Sequence, residues 1–515
     1  MAAIVTDQFR ILNAGNFVDS VSDSSNSYYV FVGLANPAAS GYGRDSDWDT
    51  DTPNPTDNFD YTNFVGDSAM YGKRVTSTNV RRLARRIDWT RGTKYEMYRH
   101  DYSLANLSPV TKSSRLYDSN YYVINSEYKV YICIDNGSSG INTTGNASLD
   151  EPTFTDLEPS AAGVSGDGYI WKYLFTVSPS DIIKFDSTEY ISLPSDWSTS
   201  TNSQISAVRT NADSDVNENQ IKKIYIHTRG AGYSQGSHEL NVIGDGSGAK
   251  VVVEVNSTGN ITNAVVSSGG KGYTYGMVDL GSINASSSTK AKLIPIIPPS
   301  RGHGYDIYKE LGADKVLIYA RFDDSTRDFP IDTSFAQIGI VKDPTANGST
   351  SKYTENQFSS LNALKFSSTS GSIAIGDKIN QTVTGGIAKG FVASYDSETK
   401  VLKYFTDRSL FLNQSTYDNV DYVGVSTESK VLDFESTANA VTTTGGFSGS
   451  IDTGFTGITT NPTGSKLISL GTQFTNGLSS PEINKGTGDV IYLDNRPLIT
   501  RNSRQKEDVK IILEF

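Results

Sequence analysis

The sequence predicts a mainly β fold: a sandwich-like, layered β core with a few short helices, plus two inserted small β modules. Three observations predict it. Hydrophobic residues make up 37% and charged residues 20% of the 515, leaving a large uncharged polar share, mostly Ser, Thr, Asn and Gly. Chains of this kind fold as many short strands joined by tight turns. Short apolar runs with strand rhythm recur, among them SYYVFVGL (27–34), YYVINSEYKVYICI (121–134) and KVLIYARF (315–322). A Gly-x-Gly-Tyr turn appears three times, at Gly230–Tyr233, Gly270–Tyr273 and Gly302–Tyr305.

Along the chain, residues 1–208 are rich in Tyr and Trp and form the expected core, completed by 301–345 and 479–515. The stretch Thr78–Arg86 is the strongest helix candidate, with Thr78 or Asn79 as its cap and Val80, Leu83 and Ile87 on one stripe. Residues 198–220 are polar apart from Ile205 and Val208 and read as a linker. The first insert, 216–300, holds two similar β units, each opened by a glycine turn. DIYKELG (306–312) predicts a short helix stopped by Gly312. A second polar linker begins near Pro344. The second insert, 352–478, predicts successive hairpins with turns at Gly376-Asp377, Gly385-Gly386 and around Asp396-Ser397. The end, 488–515, predicts two strands around a charged turn, with Pro497 at an edge or a break.

Composition narrows the function. The net charge of -12 and pI near 5.0 argue against nucleic acid and against anionic membranes, which need a basic face. The one cysteine, Cys133, rules out an intrachain disulfide and sits in an apolar alternation as a small buried hydrophobe. The start lacks the layout of a signal peptide, and no run nears the ~18 apolar residues of a membrane span. A chain folding in a reducing cytoplasm is expected.

Motifs for chemistry fail one by one. GDGSGAK (244–250) has Ala249 and Val251 where a phosphate loop needs Gly and Ser or Thr, and it runs into a strand pattern. None of His100, His227, His238 and His303 is paired at helical spacing, so a structural zinc site is not expected. Asp45, Asp47, Asp49 and Asp51 alternate as in calcium loops, but Trp48 interrupts them and the later Gly and Glu are missing, so a solvated acidic loop is expected. No nucleophile elbow is present, and nothing singles out a catalytic pair among 57 acids. No cofactor, metal or small-molecule substrate is expected. Arg81, Arg82, Arg85 and Arg86 form a basic cluster, either a solvated face or a docking surface for an acidic partner or for the protein's own acidic loops.

The stretch GDGYIWKYLFTV (166–177) is the most telling. As a strand it places Tyr169, Trp171, Tyr173, Phe175 and Val177 on one face, with Ile170, Lys172, Leu174 and Thr176 on the other. Five wet apolar side chains in a row would leave several hundred Å² exposed, which monomers seldom tolerate. Burial is expected, against a core or a neighbouring subunit.

GDGYIWKYLFTV together with STEYISLP (187–194) resembles a block of the baseplate wedge subunit, the product of gene eight, of T-even-type contractile-tailed bacteriophages. AIVTDQFR (3–10) resembles that family's opening, ARRIDWTRGTKY (84–95) its Arg-Arg-Asp-Trp segment and GDVIYLDNRPLITRNSRQKEDVKIILEF (488–515) its closing strands, with a fainter match over 315–344. The four clear matches are collinear. The resemblance implies a homodimeric virion protein without enzymatic role, which holds other baseplate wedge proteins together while the tail end changes shape at infection, after assembly in the host cytoplasm. The two inserts depart from the family and look similar to small β modules of phages infecting marine cyanobacteria. The residues expected at packing or interface positions are Tyr169, Trp171, Tyr173, Phe175, Arg81, Arg82, Arg85, Arg86, Trp89 and Arg496. The rival expectation is a receptor- or glycan-binding tail module acting through the inserts, which exposed aromatics there would support; the candidates are Tyr233, Tyr273, Tyr275, Tyr305 and Tyr404, and the lack of Trp counts against it; a sugar-degrading tail enzyme is a third.

Overall fold

The computed structural model describes residues 5–34, 48–212, 219–283, 289–323, 329, 334–406, 432–462, 464, 466–501 and 506–515. The chain is mainly β, with several antiparallel sheets and short helices. It divides into two compact units. One comprises Met1–Val18, Arg81–Leu317 and Ile512–Phe515, and the other Asp19–Val80 and Ile318–Ile511.

The first unit is built on the ribbon foreseen from its rings. Gly163, Gly166 and Gly168 turn the chain with φ of +58°, +66° and +87°, and the strand Tyr169–Thr176 follows. It pairs with Lys129–Asn136, which pairs in turn with Tyr122–Ile124. Register shifts after Val130 and Cys133 bend the pair. Tyr169, Trp171, Tyr173 and Phe175 are all buried, and so are Lys172 and Leu174 on the face expected to be mixed. The sheet is therefore covered on both sides. Helix Ser203–Ala212 lies against Tyr169–Thr176 and supplies part of that cover.

The same unit holds a module with its own core of Ile, Val and Tyr between Ile221 and Ile297. Strands Ile261–Lys271, Ser247–Val255, Gly236–Gly244 and Gly276–Val278 form one antiparallel sheet, and Lys223–Thr228 pairs with Lys292–Ile296. Two of the Gly-x-Gly-Tyr turns do equivalent work here. Their glycines all have positive φ. The hydroxyl of Tyr233 accepts a hydrogen bond from the Ala291 N–H at 2.8 Å. That of Tyr273 accepts from the Ala249 N–H at 3.2 Å and donates to the Val242 carbonyl at 3.1 Å.

In the second unit, five antiparallel strands run in the order Gln357–Ser359, Ala69–Val75, Tyr28–Gly33, Ser334–Lys342, Asp489–Thr500. Pro497 falls on the edge strand, at a register shift opposite Phe335 to Gln337, which costs no ladder bond. Beyond Gln357 the expected hairpins appear as Lys378–Val383, Gly386–Asp396 and Val401–Phe405. They join Val441–Thr443, Ser448–Ile451 and Asn362–Ser370, and pairing of the last with Val401–Phe405 closes a six-stranded barrel. Residues 407–431 of this insert lie outside the described residues.

Two expectations need correction. Thr78–Arg86 is not a helix: after a short 3-10 turn at Ser77–Asn79, Val80–Arg85 is a strand, and Leu83, Ala84 and Arg85 pair with Ser192, Ile191 and Tyr190. Val80, Leu83 and Ile87 fit a helical stripe and not strand alternation, which puts Val80 opposite the other two, but cross-strand pairing overrides the local period. The supposed linker 198–220 contains helix Ser203–Ala212, capped by the Asn202 carboxamide, which accepts from the Gln204 N–H at 2.9 Å. Its two apolar exceptions, Ile205 and Val208, are its core-facing stripe. The expected acidic loop is solvated at Asp49 and Asp51, both exposed, but Trp48 within it is 2% exposed, and its indole donates to the Arg496 carbonyl at 2.9 Å. The Asp49 carboxylate accepts from the Leu498 N–H at 2.9 Å. Asp45 and Asp47 lie outside the described residues.

Glycine at strand positions makes room for rings. A Cβ at Gly72 would collide with the Phe358 ring, whereas one at Gly445 meets nothing closer than 3.6 Å. Gly72→Ala is expected to cost about 1–3 kcal/mol and to lower the urea midpoint. Gly445→Ala should stay within about 0.5 kcal/mol of the parent.

Candidate interface surface

The residues singled out in the sequence separate into a buried set and a paired set. Trp171 stacks on Tyr169 with centroids 5.3 Å apart and 15° between planes, and Tyr95 stands edge-on to Trp171 at 5.9 Å. Tyr131 and Tyr173 meet edge-on at 5.8 Å, and Phe175 meets Trp197 at 6.1 Å. These rings are spent on the unit's own core. Trp89 is half-buried and donates its indole N–H to the Ser148 hydroxyl at 3.0 Å. Arg496 is mostly exposed and pairs with Asp494.

Because Val80–Arg85 is a strand, the four arginines leave on alternating sides and never stack as like charges. Arg81 bonds Asp181 through Nε and Nη2, with Nη2 at 3.0 Å from Oδ1, and lies over the Phe185 ring. Arg82 lies 4.0 Å from the Tyr308 ring centroid. Arg85 donates to the Ser119 carbonyl at 2.8 Å and to the Asn120 side chain. Arg86 bridges Asp88 at 2.9 Å and Asp186 at 2.7 Å. The protein's own acids and rings take Arg81, Arg82 and Arg86, and carbonyl and carboxamide oxygens take Arg85.

Next to them is a cleft of about 410 Å³ with Asp7, Ile11, Arg85, Arg86, Arg115, Glu189, Tyr190 and Lys315 in its walls. Arg115 pairs with Asp7 and, at 3.6 Å, with Asp118. Lys315 pairs with Asp314 at 3.1 Å and Glu514 at 3.0 Å. Burial alone would pull the Lys315 ammonium down, but those two carboxylates more than offset it, and Lys315 holds Glu514 below the usual carboxylate range. The Arg115 pairs and the Glu514 carboxylate are substantially exposed, whereas Lys315 and Asp314 are mostly buried.

Several buried polar groups escaped the sequence reading. His303 Nδ1 lies 2.6 Å from Glu310 Oε1, the other carboxylate oxygen accepts from the Gly304 N–H at 2.7 Å, and the Tyr98 ring stands edge-on to the imidazole at 4.7 Å. The third Gly-x-Gly-Tyr turn thus holds a His–Glu pair seven residues apart, a spacing no helical template tests. The Glu96 carboxylate is enclosed and accepts from the N–H groups of Val110, Thr111 and Asn120 at 2.7–3.0 Å. Both acids brace loops. Asp101 meets the Arg99 fork at 2.8 and 2.7 Å. Burial pushes its carboxyl up, yet Arg99 outweighs this and holds it below its ordinary value.

Among the described residues, no three His, Cys, Asp or Glu side chains converge as a metal site, and no helix is long and apolar enough to cross a membrane. Of the rings proposed for glycan stacking, Tyr233, Tyr273 and Tyr404 are buried and Tyr305 is half-buried, whereas Tyr275 is 64% exposed. No family model and no curated protein matches the chain.

Two outcomes follow from this geometry. Arg81→Ala strands the buried Asp181 and should cost about 1.5–3 kcal/mol, whereas Arg115→Ala should cost less than about 1 kcal/mol, both read by urea denaturation. Asp101, depressed in the fold, stabilises above its unfolded value near 3.9 and loses that contribution as pH falls through its lower folded value. The stability gap between the parent and Asp101→Asn should be constant above about pH 5 and shrink below about pH 4, measured by denaturation at stepped pH.

Proposed function

We propose that this chain is a non-catalytic structural subunit of a contractile phage tail, a baseplate wedge component that joins a second copy of itself and other wedge proteins in the virion. The observation that supports this reading is where the family-like segments meet. Asp7 belongs to 3–10, Arg85 and Arg86 to 84–95, Glu189 and Tyr190 to 187–194, and Lys315 to 315–344; all line one cleft. Glu514, from 488–515, pairs with Lys315 there. Segments hundreds of residues apart, picked out by resemblance alone, build a single charged surface. Such a surface suits docking: exposed ion pairs steer and orient neighbours and are exchanged at small cost when a tail end rearranges. A stable assembly interface buries at least about 1,200 Å², so the cleft would be the polar part of a larger footprint.

Purified chain mixed with the remaining wedge proteins of the same phage should enter a faster-sedimenting complex. The double charge reversal Lys315→Glu with Arg115→Glu should weaken that complex without unfolding the chain. A monomer that ignores every wedge protein would sink the reading.

A further inference from the structure

The helix Asp7–Ser22 is apolar on two sides, one buried and one exposed. Ile11, Ala14 and Val21 are turned inward and buried. Facing away from them, Phe9 is 52% and Leu12 57% exposed, and Val5, just ahead of the first turn, is 54% exposed. Asn16 and Asp19 continue the exposed row. Val5, Phe9, Leu12, Asn16 and Asp19 are spaced alternately by four and three residues. Single apolar residues on a surface need no explanation. A row at this spacing is the seam along which two helices pack.

We propose that this seam binds the same seam of a second copy, antiparallel, with the two-fold axis at Leu12. The inference rests on reading the chain as an assembling subunit and gives the second copy a surface of its own. The row is symmetric in spacing about Leu12, as a two-fold contact requires. The axis sets Leu12 on Leu12 of the second copy, and Phe9 between Leu12 and Asn16 of the second copy. Charge selects the direction. Asp19 lies in the last turn, the end of the helix dipole where an acid is unfavourable, and no base shares that turn. Parallel pairing would set Asp19 against Asp19, whereas antiparallel pairing sets it at the positive first turn of the second copy. Asp7 does not repel it there, because Arg115 takes the Asp7 carboxylate. Asn16, the polar member of the seam, comes opposite the exposed Gln8 of the second copy, amide to amide, and fixes the register. Three apolar side chains fall short of the about 1,200 Å² that a stable interface buries, so the seam is the apolar centre of a contact with a polar rim. On its other side the helix lines the charged cleft through Asp7 and Ile11. A second copy on the seam therefore leaves that cleft to other wedge proteins.

The test is sedimentation of the purified full-length chain alone, over a concentration series. The parent should form a dimer that dissociates on dilution. Leu12→Lys puts two ammonium groups at the axis and should raise the dimer's dissociation constant at least about tenfold, and Leu12→Glu should do the same. Mixing these two variants should restore a dimer with one chain of each kind, which a folding defect could not do. Leu104→Lys, at a position 88% exposed outside this helix, should behave as the parent. Leu12→Cys should give a disulfide-linked dimer on mild oxidation, since the native Cys133 is buried. A parent that stays monomeric throughout, a dimer indifferent to charge at Leu12, or variants that fail to pair when mixed would each overturn the inference. A monomeric parent that uses the seam to hold a wedge protein overturns it as well but leaves the baseplate reading standing. A seam-linked dimer that ignores every wedge protein does the reverse.

Discussion

The stack of Trp171 on Tyr169, with Tyr95 edge-on to the indole, is the constraint on which the first unit depends. Rings of this size gain from removal of apolar area, at about 25 cal/mol per Å², and gain most when their polar ends are also satisfied. The fold meets that condition for the tyrosines by aiming their hydroxyls at loops, while the buried Trp171 indole N–H finds no hydrogen-bond partner. Tyr169 donates to the Asn146 carbonyl at 2.9 Å, Tyr131 to Phe154 at 2.7 Å and Tyr122 to Arg85 at 2.7 Å, while Tyr121 reaches the Glu310 carbonyl. Each tyrosine fills the core and pins a connection. That explains how a chain so rich in Ser, Thr, Asn and Gly holds long irregular segments in place. It also fills the interior with the Tyr-rich region: Tyr95, Tyr98, Tyr121, Tyr122 and Tyr131 are buried in the chain itself.

What could be read in advance follows from locality. Short apolar runs placed Tyr28–Gly33, Tyr169–Thr176 and Lys315–Phe322, and glycines placed the turns before the last two, because both signals lie within a few residues. The helix Asp7–Ser22 carried a signal that went unread: the Thr6 hydroxyl accepts from the Phe9 N–H at 3.3 Å, and Ile11 and Ala14 are its buried positions. The strand Val80–Arg85 could not be read locally, since its partner Tyr190–Ser192 is a hundred residues on. Barrel closure in the second insert was equally hidden, because Asn362–Ser370 and Val401–Phe405 alternate like any hairpin strands and nothing short-range says they meet. The cleft needed residues from near position 7 to position 514. A surface assembled from so many segments is the last thing a linear pattern reveals.

The charged residues divide by burial, and that division bears on how such a subunit could act. Arg81 with Asp181 and Arg99 with Asp101 are largely withdrawn from water. Breaking either would leave a desolvated charge, so these pairs fix geometry and do not switch. Arg115 with Asp7 and Lys315 with Glu514 keep one or both partners in solvent, where screening reduces each to a fraction of a kcal/mol or little more. An incoming charged neighbour can replace one of these partners for almost nothing. The chain thus places its rigid ion pairs inside and its exchangeable ones around the cleft that the family-like segments build. On the proposed role, a part that stays folded while its neighbours move would use that arrangement.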